Sequence, residues 1–235
     1  MTTPTLASTV KTAESAWEAW NTLGAIARVE LLSVAAKELN QPLVNWLLAR
    51  VTNTMPDTLH LPGPTGEANS LHWSGRGLIG ICSGAPNSQD SETVLAYETA
   101  IAAQLFTALA TGNAVVLQSS NKYMHRLHSA LLNVGVPADV VQISSASIEE
   151  LASHEAFHAY AFCGPDADVI ALNTQLAQRD GMLAQLIAET DFNTYATLTS
   201  LDYPWRFVTE STLSVNTTAV GGNATLLELG GKSDS

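Results

Sequence analysis

Ala110-Thr-Gly-Asn-Ala-Val-Val-Leu-Gln-Ser-Ser-Asn-Lys122 is the stretch whose reading decides the fold. It begins as the end of a helical pattern and turns at Gly112-Asn113. It then runs through a short, wholly apolar strand at Val115-Val116-Leu117 and leaves in a polar loop. An apolar run bounded by turn residues and preceded by a long helical pattern is how a parallel strand covered on both faces looks. In an open α/β sheet, the loop at the carboxyl end of such a strand is where a nucleotide sits. Gln118 and Asn121 fill that loop, and neither carries a charge.

Working outward, the same alternation repeats. Leu78-Ile79-Gly80-Ile81-Cys82 reads as the first buried strand. A helix follows over 92–110, with Val94, Leu95, Ile101, Leu105, Ala108 and Leu109 on its apolar face. After the strand at 114–117 come a helix over 123–134, the turn Gly135-Val136-Pro137 and a strand at Val140–Ile143. A short helix at 147–153, a strand at Ala159–Cys163, a turn at Gly164-Pro165, a helix over 167–178 and an edge-like strand at Leu183–Glu189 complete the series. This rhythm fits a parallel sheet with right-handed crossovers.

The flanks differ. Helical periodicity covers 9–23, with Ser8 or Thr9 as N-cap, and 26–51, loosened at Gln41-Pro42; Gly24 separates the two as a hairpin that packs on the sheet. The loop at 61–67, with Pro62 and Pro64 around Gly63, is irregular, and an alternating piece follows at 69–73. Beyond 195, two alternating segments, 195–199 and 213–218, read as antiparallel arms of a projecting flap. The expected architecture is therefore α/β, a Rossmann-like parallel sheet with flanking helices, an N-terminal helical hairpin and a β-flap with a C-terminal tail. It forms one domain over 1–235, divided into hairpin (1–56), core (78–190), and flap and tail (61–74 and 195–235).

Composition narrows the function classes. Ten basic against 22 acidic residues give a net charge of −12, which excludes a phosphate-neutralising nucleic-acid surface and disfavours anionic membranes. No apolar run reaches the roughly 18 residues of a membrane span, and no leader pattern opens the chain, so the expectation is a soluble, cytoplasmic protein without membrane insertion. Cys82 and Cys163 lie in apolar strand runs, as buried free thiols do, rather than in a disulfide framework.

The order of pieces resembles the aldehyde dehydrogenase superfamily. The matching residues are the hairpin with Trp17 and Trp20, the Ala110–Leu117 stretch, Gly135-Val-Pro-Ala-Asp-Val-Val-Gln-Ile, Ala161-Phe-Cys-Gly and Leu186-Ile-Ala-Glu-Thr. More narrowly, Leu61-Pro-Gly-Pro-Thr-Gly-Glu, Ala177-Gln-Arg-Asp-Gly and Leu213-Ser-Val-Asn-Thr-Thr-Ala-Val-Gly-Gly-Asn-Ala-Thr-Leu resemble the C-terminal module of long proline utilization A (PutA) proteins. The resemblance implies a non-catalytic domain of aldehyde dehydrogenase ancestry. In that family it sits beside a proline dehydrogenase and a glutamate-semialdehyde dehydrogenase and helps to cover the tunnel between them. The implied partners are those catalytic domains, in cis or in trans; a homodimer is compatible, and no cofactor is expected.

The superfamily's chemistry needs a thiolate, a glutamate base, an oxyanion asparagine and an NAD site. Neither cysteine occupies the nucleophile's place, and the 46 residues after Glu189 contain no cysteine. Leu227-Glu-Leu-Gly-Gly-Lys232 spells the base motif, but Glu228 lies 64 residues beyond Gly164 whereas Glu189 lies 25 beyond it. Glu189 is therefore the positional match, read as a solvated strand end. Where the resemblance puts a Lys and a Glu on the adenosine ribose, this chain has Gln118 and Asn121, without ionic partners. The pyrophosphate turn is Gly164-Pro165-Asp166: Pro165 deletes an N–H, and Asp166, read as a helix cap, repels phosphate. Asn87, after Pro86, is a relic of the oxyanion asparagine or a surface turn.

The six histidines include His125/His128 and His154/His158 at helical spacing, but no spaced partner completes a metal site. Gln118, Asn121, Gly164 and Glu189 are thus degenerate cofactor-binding positions, with no catalytic residue and no metal. The tail residues Val215, Asn216, Thr217, Gly221, Gly222, Asn223 and Leu226 are the expected lid or docking strand, since edge pairing needs little side-chain chemistry. Two rivals stand beside this reading. One is the NAD-binding part of a truncated or divergent aldehyde dehydrogenase; the other is a weak nucleotide-binding sensor.

Overall fold

The computed structural model describes residues 4–56, 58–119 and 122–217. The deciding stretch is the junction of the molecule. It ends α4 (Ser91–Ala110), turns through Gly112 at φ +94°, and enters β4 (Ala114–Gln118). Asn113 is fully buried, and its amide ties three parts together. Nδ2 donates to Ala108 O at 2.9 Å and to Phe207 O at 3.0 Å, while Oδ1 accepts from Gly77 N–H at 3.2 Å. A Cβ on Gly75 would lie 2.5 Å from the Gly112 backbone, so two glycines let the chain cross itself here.

Five strands form the parallel sheet, in the order β5-β4-β3-β6-β7: β3 (Leu78–Ser83), β4, β5 (Val141–Ser144), β6 (Phe157–Cys163) and β7 (Gln185–Glu189). As expected from sequence, the last strand is an edge. The chain order reverses between β3 and β6, which makes their carboxyl ends the crevice where an α/β sheet ordinarily takes a ligand. Helix α4 lies on one face of the sheet and is itself roofed by helices, so from Ala100 to Ala110 every residue is buried. Among the described residues it is the one helix long and apolar enough to cross a membrane, and its apolarity is that of a core helix covered on both sides. Leu95, expected on its apolar face, is 57% exposed.

The N-terminal region is three helices rather than a two-helix hairpin, α1 (Leu6–Thr22), α2 (Ala25–Glu38) and α3 (Pro42–Thr54), of which α2 and α3 form the roof over α4. The expected helix 26–51 breaks because Asn40 takes φ +53°. There the N–H of Asn40 reaches Lys37 O and that of Gln41 reaches Ala36 O, which closes α2 before Pro42 opens α3. Thr5, not Ser8 or Thr9, caps α1, accepting from Ser8 N–H at 3.3 Å. Buried Arg28 pins the roof to α4, donating from Nε to Ala110 O at 3.0 Å and from Nη1 to Asn21 O at 2.6 Å. Trp20 Nε1 adds a bond to Leu109 O at 3.0 Å, so cation and indole both meet the carbonyl end of α4.

On the opposite face lie α1, α6 (Ile148–Ala152) and α7 (Asp166–Ala177), while α5 (Lys122–Asn133) connects β4 to β5. The flap is a separate antiparallel sheet, β1 (Leu59–Leu61), β2 (Glu67–Gly75) and β8 (Val208–Asn216). Of the loop expected at 61–67, Leu61 ends β1 and Glu67 begins β2, and only 62–66 are irregular. The projected arm at 195–199 is not a strand. Those residues form turns, with Tyr195 at φ +51°, leading to a 3₁₀ helix at Tyr203–Phe207 whose Trp205 meets Trp73 edge-on at 5.4 Å.

Candidate functional site

The carboxyl ends of β3, β6 and β7 bring Ser83, Cys163, Gly164 and Glu189 into one row, as the register Ser83↔Cys163↔Glu189 requires. Glu189 is not a solvated strand end. Its side chain is buried, 1% exposed, and both carboxylate oxygens are occupied. Oε1 accepts from Asp191 N–H at 2.9 Å, and Oε2 from Thr197 and Leu198 N–H, each at 3.0 Å. This convergence folds 190–198 into turns and explains why the expected arm is missing. Asp191 continues it by accepting from the N–H of Asn193 and Thr194.

The phosphate turn is equally committed. Gly164 N–H, the donor a pyrophosphate needs, donates to Glu189 O at 3.2 Å, and Gly84 N–H to Cys163 O at 2.9 Å. A Cβ on Gly164 would stand 2.7 Å from the Phe162 ring, and one on Gly84 would stand 2.8 Å from Asp168 Oδ2, so both glycines are packed closely by side chains of this chain. Asp166 is not the cap: Pro165 holds the N-cap position of α7 without a side-chain bond, and Asp166 and Asp168 lie in the first turn. Two carboxylates there stabilise the helix and oppose a phosphate. Beside them a recess of about 410 Å³, lined by Ile148, Glu149, Phe162, Asp168 and Leu172 among others, carries the same negative sign.

Both thiols are fully buried. Burial pushes Cys82 up to about 12 and Cys163 higher still, where the neighbouring Cys82 and Glu189 add to the shift. Neither supplies a thiolate at neutral pH. Gln118 ends β4 with its Oε1 buried and unpartnered. Asn121, Gly221, Gly222, Asn223, Leu226 and Glu228 lie outside the described residues. Val215 and Asn216 pair with Ala68 and Glu67 in the flap, and Thr217 N–H extends the ladder to Gly66 O at 2.7 Å. Asn87 is exposed in a loop.

His125 and His128 do share a helix, whereas His154 follows α6 and His158 lies in β6, so the second pair is not a helical one. Among the described residues no group of three or more His, Cys, Asp or Glu is placed to hold a metal.

Sequence reasoning missed a cleft of about 550 Å³ beside the row, on the α4 face, lined among others by Ser83, Pro86, Tyr97, Glu98, Ile101 and Lys122. Its back wall is Tyr97, stacked at 3.9 Å on Phe192. Val94 and Ile101 were visible on the apolar face of this helix and Tyr97 was not singled out; Phe192 is brought to Tyr97 by the turn that Glu189 holds.

Against known proteins, no family model matches the chain. Over 174 residues it is 29% identical to the bifunctional protein PutA of Rhizobium meliloti, covering 73% of this chain and 12% of that protein. Over 172 residues it is 31% identical to that of Escherichia coli K12, covering 72% and 11%. The chain is a PutA-like, aldehyde dehydrogenase-like module. It spans about a tenth of the length of the curated relatives it matches.

Among solved structures, the module superposes on PutA with proline bound in remote sites at a TM-score of 0.68 and 21% identity, over 81% of this chain and 22% of that one. It superposes on a protein named as an aldehyde dehydrogenase from Burkholderia cenocepacia at 0.62 and 20%, over 78% and 42%. At these identities the structural likeness carries the fold alone, and the PutA-like module's chemistry rests on its own residues.

Proposed function

We propose that the module is a non-catalytic structural domain of a PutA-type proline-catabolic enzyme, cytoplasmic, working against that enzyme's proline dehydrogenase and glutamate-semialdehyde dehydrogenase domains, in cis or in trans. It covers the passage between them and supports assembly. The observation that carries the reading is Glu189: the position matching the superfamily's base holds a buried carboxylate whose oxygens serve three backbone N–H groups. Three of the carboxylate's roughly four acceptor sites are so taken and the group is 1% exposed, an arrangement suited to holding backbone rather than to receiving a substrate proton. The two raised thiols and the self-satisfied Gly164 N–H support the same reading. The flap, with exposed Leu213 and Val215 on β8, is the surface offered to the partner domains. Adding the chain to a PutA core lacking this module, and following coupled conversion of proline to glutamate, tests the role. Shortened appearance time of glutamate supports it, and an unchanged time refutes it.

A second reading, a weak nucleotide sensor, is favoured by one observation, the orphan Gln118 Oε1 where a ribose hydroxyl would donate. Titrating NAD while watching tryptophan fluorescence separates the two. Saturation below about 1 mM, roughly 4 kcal/mol of net interaction, favours the sensor.

A further inference from the structure

We infer that the cleft between α4 and α5 is a binding site for a zwitterionic amino acid with a bulky apolar side chain, its ammonium facing Glu98, its carboxylate facing Lys122 and one oxygen meeting the Tyr97 hydroxyl. The cleft, about 550 Å³, has the size of an ordinary small-ligand pocket. Most of its wall is apolar, from Ala85, Pro86, Val94 and Ile101 with the rings of Tyr97 and Tyr123.

Three polar features converge on it. Tyr97 is 4% exposed, yet its hydroxyl has no hydrogen-bond partner. Such a group has given up its solvation for nothing, a cost a ligand oxygen would remove. Tyr123, the other ring, accepts through its hydroxyl oxygen from Gln41 Nε2 at 3.0 Å, whereas the Tyr97 hydroxyl is buried without a partner. Glu98 is half-buried, and burial raises its carboxyl despite the opposing pull of Arg126 one turn along α5 from Lys122. Lys122 opens α5, a twelve-residue helix whose first N–H groups favour an anion.

Glu98 and Lys122 line one cleft from two helices and form no ion pair with each other; among the described residues the ion pair is Arg206–Asp202. An acid alone meets the repulsion of Glu98 and an amine alone that of Lys122. A zwitterion satisfies both and leaves the net charge of the site unchanged. The site uses residues of this chain only, so it stands or falls separately from the tunnel-covering role.

The test is calorimetric and saturation-transfer NMR titration of the full chain with three isosteric probes, L-phenylalanine, 3-phenylpropanoate and phenethylamine. L-phenylalanine is expected to bind saturably, and each single-charge analogue about tenfold or more weakly, the loss of one charge-assisted contact. Glu98→Gln is expected to erase the preference for L-phenylalanine over 3-phenylpropanoate, and Lys122→Met the preference over phenethylamine. Tyr97→Phe should weaken L-phenylalanine while leaving the thermal midpoint equal or higher, because it deletes an unpaired hydroxyl. Absence of saturation up to about 10 mM L-phenylalanine, a free energy under ~3 kcal/mol, overturns the proposal. So does equal binding of either analogue, or selectivity unchanged in both charge variants.

Discussion

Replacing Glu189 by Gln tests whether this buried carboxylate is a fastener. The carboxylate accepts three backbone N–H bonds at 2.9, 3.0 and 3.0 Å, of which the one from Leu198 is buried and those from Asp191 and Thr197 are partly buried. An amide offers one acceptor oxygen. With that oxygen turned to Thr197 and Leu198, its NH₂ group opposes the Asp191 N–H. With the opposite flip, two donors lose their acceptor. The better flip costs about 1–3 kcal/mol, one partly buried donor left unmade, and Glu189→Ala costs about 2–4 kcal/mol because water reaches two of the three donors. In a chain of this size these correspond to falls of roughly 2–16 °C in the thermal midpoint.

Urea denaturation followed by tryptophan fluorescence measures the loss, and amide hydrogen exchange locates it. Exchange is expected to accelerate at Thr197 and Leu198 and along 190–198, with the parallel sheet unaffected. Stability within about 0.5 kcal/mol of the parent, a change no larger than an ordinary surface substitution gives, refutes the fastening role if exchange at Thr197 is also unchanged.

Three further outcomes follow from the same coordinates. Neither cysteine is expected to react with a thiol reagent in the folded protein, and both in guanidinium, since burial holds both thiols protonated; prompt labelling of one native thiol contradicts this. His128 and His158 are held below the ordinary imidazole value, chiefly by burial, so the unfolded chain takes up their protons first as pH falls. Stability is therefore full above about pH 6.5 and declines below it. The decline should flatten in a His128→Gln, His158→Gln double variant, and an identical pH profile for parent and variant sinks the assignment. Gly112→Ala should destabilise by about 2 kcal/mol or more, because it combines a φ of +94° with a Cβ 2.5 Å from Asn21 Oδ1; its urea midpoint decides.

The alternation of apolar strands and amphipathic helices was legible wherever each element carries its own signal. Val115–Leu117, Leu78–Cys82 and the glycine turns place the whole parallel sheet, down to the edge position of Leu183–Glu189. Boundaries shifted where a single backbone conformation decides them: Asn40 in the left-handed region splits one expected helix in two. The site was less legible. Glu189, seen in isolation, has no nearby cation or cysteine and reads as solvated. Its burial depends on N–H groups from Thr197 and Leu198, delivered by a turn that the alternating Tyr195–Thr199 pattern mimics as a strand. The Tyr97 cleft escaped notice for the same reason, since Phe192 has no periodic relation to α4. Features unhelpful to a dinucleotide are single-residue ones that the sequence displays directly: the uncharged Gln118 at the end of β4, and Pro165, which has no N–H to donate.

The central claim is that the aldehyde dehydrogenase frame persists here for its shape. The most direct measurement is the lag before glutamate appears when a PutA core without this module turns over proline, recorded with and without the purified chain. The account predicts that the chain shortens the lag at stoichiometric amounts and, by itself, reduces no NAD with any aldehyde. A lag indifferent to the chain, or NADH formed by the chain alone, contradicts it.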